Sequence, residues 1–161
     1  MEVTVVWKGF WRAVGSIPGF TPVAKRTVTL DRWLSRVTKG RVVALGMAPS
    51  LLLTTVGRKS GQERKSPLQY VADQGAYVVV GSNWGGPNAP GWVHNLRAKP
   101  AATITIGGRD LAVEAQEATG DERERLWQLF VDQWPGYARY REQAAHRTLR
   151  IFRLVPVTAP R

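Results

Sequence analysis

The stretch LLLTTVGRKSGQERKSPLQYVADQGAYVVVGS, residues 51–82, decides how the chain folds. It opens as a short apolar, β-branched run, turns at Gly57-Arg58-Lys59-Ser60-Gly61, and returns as ERKSPLQYVAD. Aliphatic and β-branched residues bounded by glycine turns favour strands. Pro67 has no amide proton to give to a ladder, so it implies a bulge or an edge position in the returning strand. Asp73-Gln74-Gly75 is a second turn signal. After it, AYVVVGS (76–82) is almost entirely apolar, as a strand buried on both faces would be.

Downstream of this core the same period continues. AATITI and DLAVEAQEA alternate on either side of Gly107-Gly108 and read as a hairpin, and LRIFRLV (149–155) alternates as a final strand. A short helix is expected around Trp92–Ala98, stopped by Pro100. Asp121-Glu122-Arg123-Glu124 opens a longer helix with acids in its first turn, where the helix dipole favours them. That helix should bury Leu126, Leu129, Phe130 and Trp134 and break at Pro135-Gly136, before another helix in GYARYREQAAH.

Upstream, Val6, Trp7, Phe10, Trp11, Val14 and Ile17 recur at helical spacing, with Lys8 and Arg12 opposite them. Such a helix suits either a place over the core or a membrane interface, where Trp and Phe beside Lys and Arg fit the headgroup zone. A second short helix is expected from the cap Asp31 to Gly40, with Trp33, Leu34 and Val37 turned inward. No βαβ alternation occurs, which disfavours a doubly wound nucleotide fold. The expectation is a mainly β (α+β) protein, a small barrel of about six antiparallel strands with peripheral helices. Closing the sheet removes its adhesive edges. One domain is expected, with a helical extension over residues 1–45 and the barrel over 46–157.

Composition narrows the chemistry. The 161 residues are 43% hydrophobic and 22% charged, which suits one folded domain with a sizeable core. There is no cysteine, which excludes disulfides, thiolate nucleophiles and thiolate metal sites. The two histidines, His94 and His146, lie far apart, and no carboxylates cluster at ligand spacing, so no metal is expected. No segment approaches the roughly 18–20 apolar residues needed to cross a bilayer. The opening MEVTVVWKGFWRAVGSIPGF lacks the pattern of a secretory leader. A cytoplasmic location is expected, with the first helix a candidate for peripheral contact at the inner face of the membrane.

The net charge of +11 is unevenly placed: residues 1–70 carry twelve Lys/Arg against three Asp/Glu, and residues 71–161 carry eleven against nine. An anionic partner should therefore be met in the first part of the chain. Arg58, Lys59, Arg64 and Lys65 bracket one tight turn with only Glu63 beside them. Such a turn is either a solvated hairpin tip or an anion site, and the shortage of acids favours the second, since an idle surface mixes signs. It is not a Walker A loop. Nucleic acid is not the expected partner, because no stacking motif or helix-turn-helix signature accompanies the charge.

Two further groups carry potential chemistry. In VGSNWGGPNAPGWVHNL (80–96), glycines and prolines between a strand and a helix let backbone approach a ligand. There Trp84 and Trp92 could wall a flat ring, with Asn83 and Asn95 bonding its heteroatoms. His94 reads as a general acid or base, or as a surface side chain with no acid paired to it. In WPGYARY (134–140), Tyr137 and Tyr140 share a helix face. They either pack on the barrel or donate a hydrogen bond or proton in a substrate pocket. Hydrolytic motifs and the dinucleotide glycine fingerprint are absent, so chemistry is expected from a bound cofactor.

Taken together, LLLTTVGRKSGQERKSPLQY, then VVVGSNWGG with APGWVHNLRAKP, then ERERLWQLFVDQWPGYARY resemble the deazaflavin-dependent nitroreductase family, within the flavin/deazaflavin split-barrel oxidoreductases. The resemblance runs from about residue 50 to 155. It implies an FMN-binding split-barrel-like fold and coenzyme F420 as cofactor, with FMN as the alternative. It also implies that Arg58, Lys59 and Arg64 hold the phosphate and nearby carboxylates of the cofactor tail. Ser66, Pro67, Leu68, Val80, Gly81, Ser82 and Asn83 would lie along the deazaflavin, and Gly91, Trp92, Asn95 and Leu96 would lock the loop beside it. Tyr137 and Tyr140 match the family's tyrosines near the acceptor and are the candidate catalytic residues. Trp84 and Trp134 would line the substrate pocket. Where relatives often carry a tyrosine before Pro-Gly-Tyr, this chain has Trp134, a bulky ring in place of a hydroxyl. The activity implied is hydride transfer from reduced F420 to quinones, enone or coumarin-type lactones and nitro-aromatics. Alternatives are a non-catalytic binder of F420 or lipid and an FMN-dependent reductase. The expected partner is a small-molecule acceptor, and the expected state a monomer or weak dimer.

Overall fold

The computed structural model describes residues 49–157. The two helices expected before residue 41 and the boundary near residue 45 lie outside the described residues. The hairpin that opens the described chain forms as its sequence requires. Strand β1 (Ser50–Val56) pairs antiparallel with β2 (Glu63–Gln69) from Ser50↔Gln69 to Val56↔Glu63. Leu51 and Leu53 face a buried core that Leu68 also touches. Pro67 sits opposite Leu52 in unbroken register, and β2 is an edge strand, so its missing amide proton costs the ladder nothing.

The run ERKSPLQYVAD behaves differently from a single strand. After β2 only Tyr70 intervenes before β3 (Val71–Asp73), and β3 pairs with β4 (Ala76–Val80) rather than with β1. The sheet order is β2-β1-β5-β6-β7-β4-β3, so the two edge strands are consecutive in sequence. One residue therefore carries the chain from one edge of a seven-stranded antiparallel sheet to the other. Only a sheet curled until its edges nearly meet allows this, and the result is a split-barrel-like half-barrel. The count is seven strands rather than six because Tyr70 divides what reads as one strand. The Tyr70 amide donates to the Pro49 carbonyl at 3.1 Å, and its ring meets Tyr77 edge-on at 5.4 Å.

Strands β5 (Ala101–Ile106) and β6 (Arg109–Ala118) form the expected hairpin about Gly107 and Gly108, both at positive φ. Strand β7 (Ile151–Pro156) is inserted between β6 and β4. Alternation along β4 and β7 sends side chains to two cores. Val79, Phe152 and Leu154 pack with Trp92, Val93 and Leu96 of α1 (Gly91–Ala98). Val78, Val80 and Ile151 pack under α2 (Gly120–Gln133) and α3 (Gly136–Gln143), against Leu126, Trp127, Phe130, Tyr137 and Tyr140. This double burial explains why AYVVV has no polar face. Along α2, Leu126, Trp127 and Phe130 are buried, whereas Leu129 and Trp134, the residue that ends the helix, are half-buried. Among the described residues no helix is long and apolar enough to cross a membrane.

Charge pairing fastens α2 to the sheet. Arg125 grips Asp73 through both guanidinium nitrogens at 2.9 Å, while Arg153 bonds Glu122 at 2.9 Å and lies 3.5 Å from Asp73. The Arg125 hydrogen bonds hold the Asp73 carboxyl below its ordinary pKa, against the opposing effect of desolvation. A carboxylate depressed in this way adds stability that is fully present above its unfolded pKa of about 4 and is lost as pH falls through the folded value. Asp73→Asn should lower unfolding free energy at pH 7 by about 1 kcal/mol, a modest figure because Arg125 is well exposed. In urea unfolding, the gap to wild type should close as the pH is taken from about 5 to below about 3.

Candidate functional site

The basic turn is built from inside the barrel outward. Asn95, buried on α1, donates from Nδ2 to Thr55 Oγ1 at 3.0 Å and accepts the Arg58 amide on Oδ1 at 3.1 Å. One amide side chain thus fixes the end of β1 and the first residue of the turn to the same helix. Within the turn, Gly57 N–H donates to the Gln62 carbonyl at 2.8 Å, Gly61 N–H to the Gly57 carbonyl at 2.7 Å, and Gln62 N–H to Ser60 Oγ at 3.3 Å. The amides of Gly57, Arg58, Gly61 and Gln62 are therefore all used internally. Glycine here serves the turn itself, since a Cβ on Gly57 would lie 2.7 Å from Ser60 Oγ. An anion meets chiefly the side chains of Arg58, Lys59, Arg64 and Lys65, all exposed.

The ion pairs show why these cations stand out. Among the described residues, Asp73, Glu117, Glu122 and Glu124 neutralise arginines of α1, α2, α3 and β7. None of these pairs reaches the basic turn. Four cations with no carboxylate partner among the described residues fit a group bearing a phosphate and several carboxylates, because the attraction is not already spent on those residues' own acids.

The loop after β4 supplies the second wall. Gly81 is buried, with its amide on the Arg150 carbonyl at 2.8 Å, and a Cβ there would come within 2.6 Å of Val93 on α1. Asn83, Trp84 and Gly85 then follow at φ 47°, 56° and 72°, a left-handed turn unusual for a tryptophan. Asn83 Nδ2 donates to the Asn88 carbonyl at 2.9 Å, and Asn83 is exposed. From the opposite side, Arg147 donates to the carbonyls of Gly81 (3.1 Å), Ser82 (2.7 Å) and Gly86 (3.1 Å), and His146 bonds the Pro87 carbonyl at 2.9 Å. Burial holds the Arg147 pKa below the ordinary arginine value, and the group stays cationic at neutral pH.

The third group closes on this loop. Trp84 meets Trp134 and Tyr140 edge-on at 6.4 and 6.0 Å, and Trp134, Tyr137 and Tyr140 are mutually in edge contact at 5.6–5.8 Å. Tyr137 and Tyr140 are 5% and 4% exposed, and Tyr137 donates its hydroxyl proton to Gln69 Oε1 at 3.2 Å. Burial raises both phenol pKa values, for Tyr137 with a smaller contribution from Tyr140. Both hydroxyls are therefore neutral donors at physiological pH and never phenolates there.

The fold brings many of the singled-out residues together. Arg58 is joined to Asn95, Trp84 to Trp134 and Tyr140, and Tyr137 to Trp134 and Tyr140. Ser66, Pro67 and Leu68 lie half-buried on β2, and Ser82 is half-buried beside exposed Asn83. Val80, Trp92 and Leu96 are core residues, with Trp92 against Phe152 at 5.8 Å, so they shape the site from beneath. Gly91 begins α1 and His94 is exposed on it. The reading of residues alone did not reach Thr55, Gln69, Gln143, His146 or Arg147 as site-builders. All act through hydrogen bonds or packing to residues more than 30 positions away, and sequence spacing carries no signal of that.

A split barrel with a cationic turn and a glycine-rich loop, each held to α1, suits a flat cofactor with an anionic tail. The model of the F420H(2)-dependent quinone reductase family matches residues 26–156, and the chain belongs to that family. It is therefore an F420-dependent reductase, with coenzyme F420 as its cofactor. An F420H(2)-dependent quinone reductase of Mycobacterium tuberculosis is 41% identical over 111 residues, 66% of this chain and 74% of that one. The solved structure of an F420-H2 dependent reductase superposes with a TM-score of 0.60 at 37% identity, covering 66% of this chain and 93% of that chain. A second solved chain, described as a domain-swapped dimer, gives a TM-score of 0.62 at 34% identity, covering 83% and 98%.

Because Asn95 is buried, removing it strands the Thr55 hydroxyl and frees the turn. Asn95→Ala should cost about 1–3 kcal/mol in thermal or urea unfolding, the usual penalty for a buried group left unsatisfied. It should also weaken F420 binding in a fluorescence titration, although Asn95 carries no charge.

Proposed function

We propose that the protein reduces quinones and, beyond them, other conjugated electrophiles, namely enone and coumarin-type lactones and nitro-aromatics, at the expense of reduced F420. The observation that carries this reading is the cluster of Arg58, Lys59 and Arg64, without acidic partners among the described residues and tied to α1 through the Arg58 amide on Asn95. These three side chains hold the phosphate and carboxylates of the tail. Ser66, Pro67 and Leu68 and the backbone from Val80 to Asn83 flank the planar head, with Gly91, Trp92, Asn95 and Leu96 supporting that backbone. When bound, the deazaflavin supplies the hydride.

The aromatic cluster of Trp84, Trp134, Tyr137 and Tyr140 forms the acceptor side. Flat, conjugated acceptors suit such a wall, because edge and face contacts between rings favour planar molecules and exclude water. Holding two planar reactants face to face is the main catalytic contribution of the chain. Tyr137, neutral because it is buried, donates a hydrogen bond to the acceptor oxygen as negative charge develops there, and solvent supplies the proton that completes the reduction. Its hydroxyl bond to Gln69 is exchanged for one to the acceptor in that role.

Fluorescence titration with F420, FMN and NADPH side by side tests the cofactor preference. Saturation by F420 at the lowest concentration supports it, and saturation by FMN alone overturns it. Arg58→Ala should weaken F420 binding by about 1.5–3 kcal/mol, the range of a charge-assisted hydrogen bond, and raising the salt concentration should narrow that difference.

Tyr137→Phe should lower kcat for a quinone about 100-fold, the low end for losing one donor to a developing oxyanion, with cofactor affinity within about twofold of wild type. A large loss of affinity at unchanged kcat would place the hydroxyl's role in the Gln69 bond instead.

A further inference from the structure

Arg147 is the least expected side chain around the site. It sits in the connection between α3 and β7, far from any carboxylate pairing among the described ion pairs, and spends its guanidinium on three backbone carbonyls of one six-residue loop. A lone guanidinium taken partly out of water gathers carbonyls when their dipoles replace the lost hydration. The consequence lies on the other side of the loop. In a trans peptide the C=O and N–H point in opposite directions, and no cis bond occurs among the described residues. With the Gly81 and Ser82 carbonyls drawn onto Arg147, the amides of the same two peptide units, those of Ser82 and Asn83, are aimed away from it. The third carbonyl, that of Gly86, belongs to a peptide whose nitrogen is Pro87 and offers no donor. The loop thus presents two successive N–H groups on its outer face. Neither finds an acceptor among the described residues.

The surroundings keep this arrangement in place. Trp84 is held at φ 56° by its contacts with Trp134 and Tyr140. Gly85 lies so close to Gln143 of α3 that a Cβ would clash with its side chain, and His146 secures the Pro87 carbonyl. A left-handed turn at two non-glycine residues persists only when its surroundings over-determine it, and such strain gathers at functional positions.

We propose that Arg147 is a positioning residue for the cofactor head: by taking the Gly81 and Ser82 carbonyls, it aims the Ser82 and Asn83 amides as a paired donor at an acceptor edge of the bound deazaflavin. This rests on the F420 reading above. The amide pair recognises a planar heterocycle with adjacent acceptor atoms, whereas the basic turn recognises the tail, and the two contributions are separable.

The test uses the full chain and two ligands, oxidised F420 and the deazaflavin head alone, lacking phosphate and glutamates, each titrated by fluorescence with the absorption band of the bound ligand recorded. Arg147→Met should weaken both ligands about tenfold or more and shift the bound absorption band toward that of the free ligand, and added guanidinium ion should restore part of each. Arg58→Ala should weaken only the full cofactor. Should Arg147→Met not fold, the amide can be removed directly. Ser82 has φ −72°, which proline adopts, so Ser82→Pro deletes one N–H at an acceptable backbone geometry. It should weaken head binding about tenfold. Unchanged head affinity and spectrum in folded Arg147→Met, or in Ser82→Pro, overturns the proposal while leaving the tail site standing. Failure of wild type to bind either ligand overturns the cofactor reading and this proposal together.

Discussion

The structure depends on a chain that passes from one edge of its sheet to the other through a single residue, Tyr70. Because β2 and β3 are consecutive yet lie at opposite ends of the order β2-β1-β5-β6-β7-β4-β3, the sheet has to curl. The curl leaves no unsatisfiable demand on Tyr70, whose amide and carbonyl find Pro49 and Gln133. It also sets β1 against α1 and β4 beneath α2 and α3, which creates two cores where a flat sheet would have one layer on each side. The proposed site takes its floor from the β4 end and α1, and its walls from the basic turn and the aromatic helix α3.

Around that frame, polar contacts work as a linked set. Arg147 holds the loop of Gly81 to Gly86, Gly81 fits closely against Val93 of α1, and Asn95 of the same helix holds Arg58 and Thr55. Loop and turn are therefore referred to one short helix, so the two surfaces proposed to grip head and tail keep a fixed spacing. The acids that form ion pairs among the described residues, Asp73, Glu117, Glu122 and Glu124, do so with arginines outside the turn, and the cations of the turn keep their attraction for an anionic ligand.

Much of the fold is legible from residues 51–82 and the later hairpin, because alternation, glycine turns and an all-apolar strand follow directly from how many faces of each strand are buried. Pro67 marks an edge strand for the same reason, since its ladder donor is missing. The division at Tyr70 is not legible: QYVAD continues the strand pattern of ERKSPLQ without a break, and only pairing partners distinguish the two. Similarly, Tyr137 and Tyr140 sit three apart on a helix in either reading, and sequence cannot say that both sink to 5% or less exposure among Trp127, Phe130 and Trp134. Trp92 offers a ring that could face a ligand, yet the packing of α1 on β7 turns it into the core.

By itself the sequence determined the strand and helix periods, the single cationic turn, the absence of thiol chemistry and, through its motifs, the deazaflavin reductase family. Each of these rests on local composition or on short spacings, which backbone geometry translates into structure directly. The tertiary structure alone decided that β2 and β3 are opposite edges, that Asn95 clamps the basic turn, and that Arg147 arranges the loop carrying Ser82 and Asn83. The last two depend on side chains meeting partners across 37 to 66 residues of chain, contacts whose energy comes from burial and desolvation that exist only once the sheet has curled.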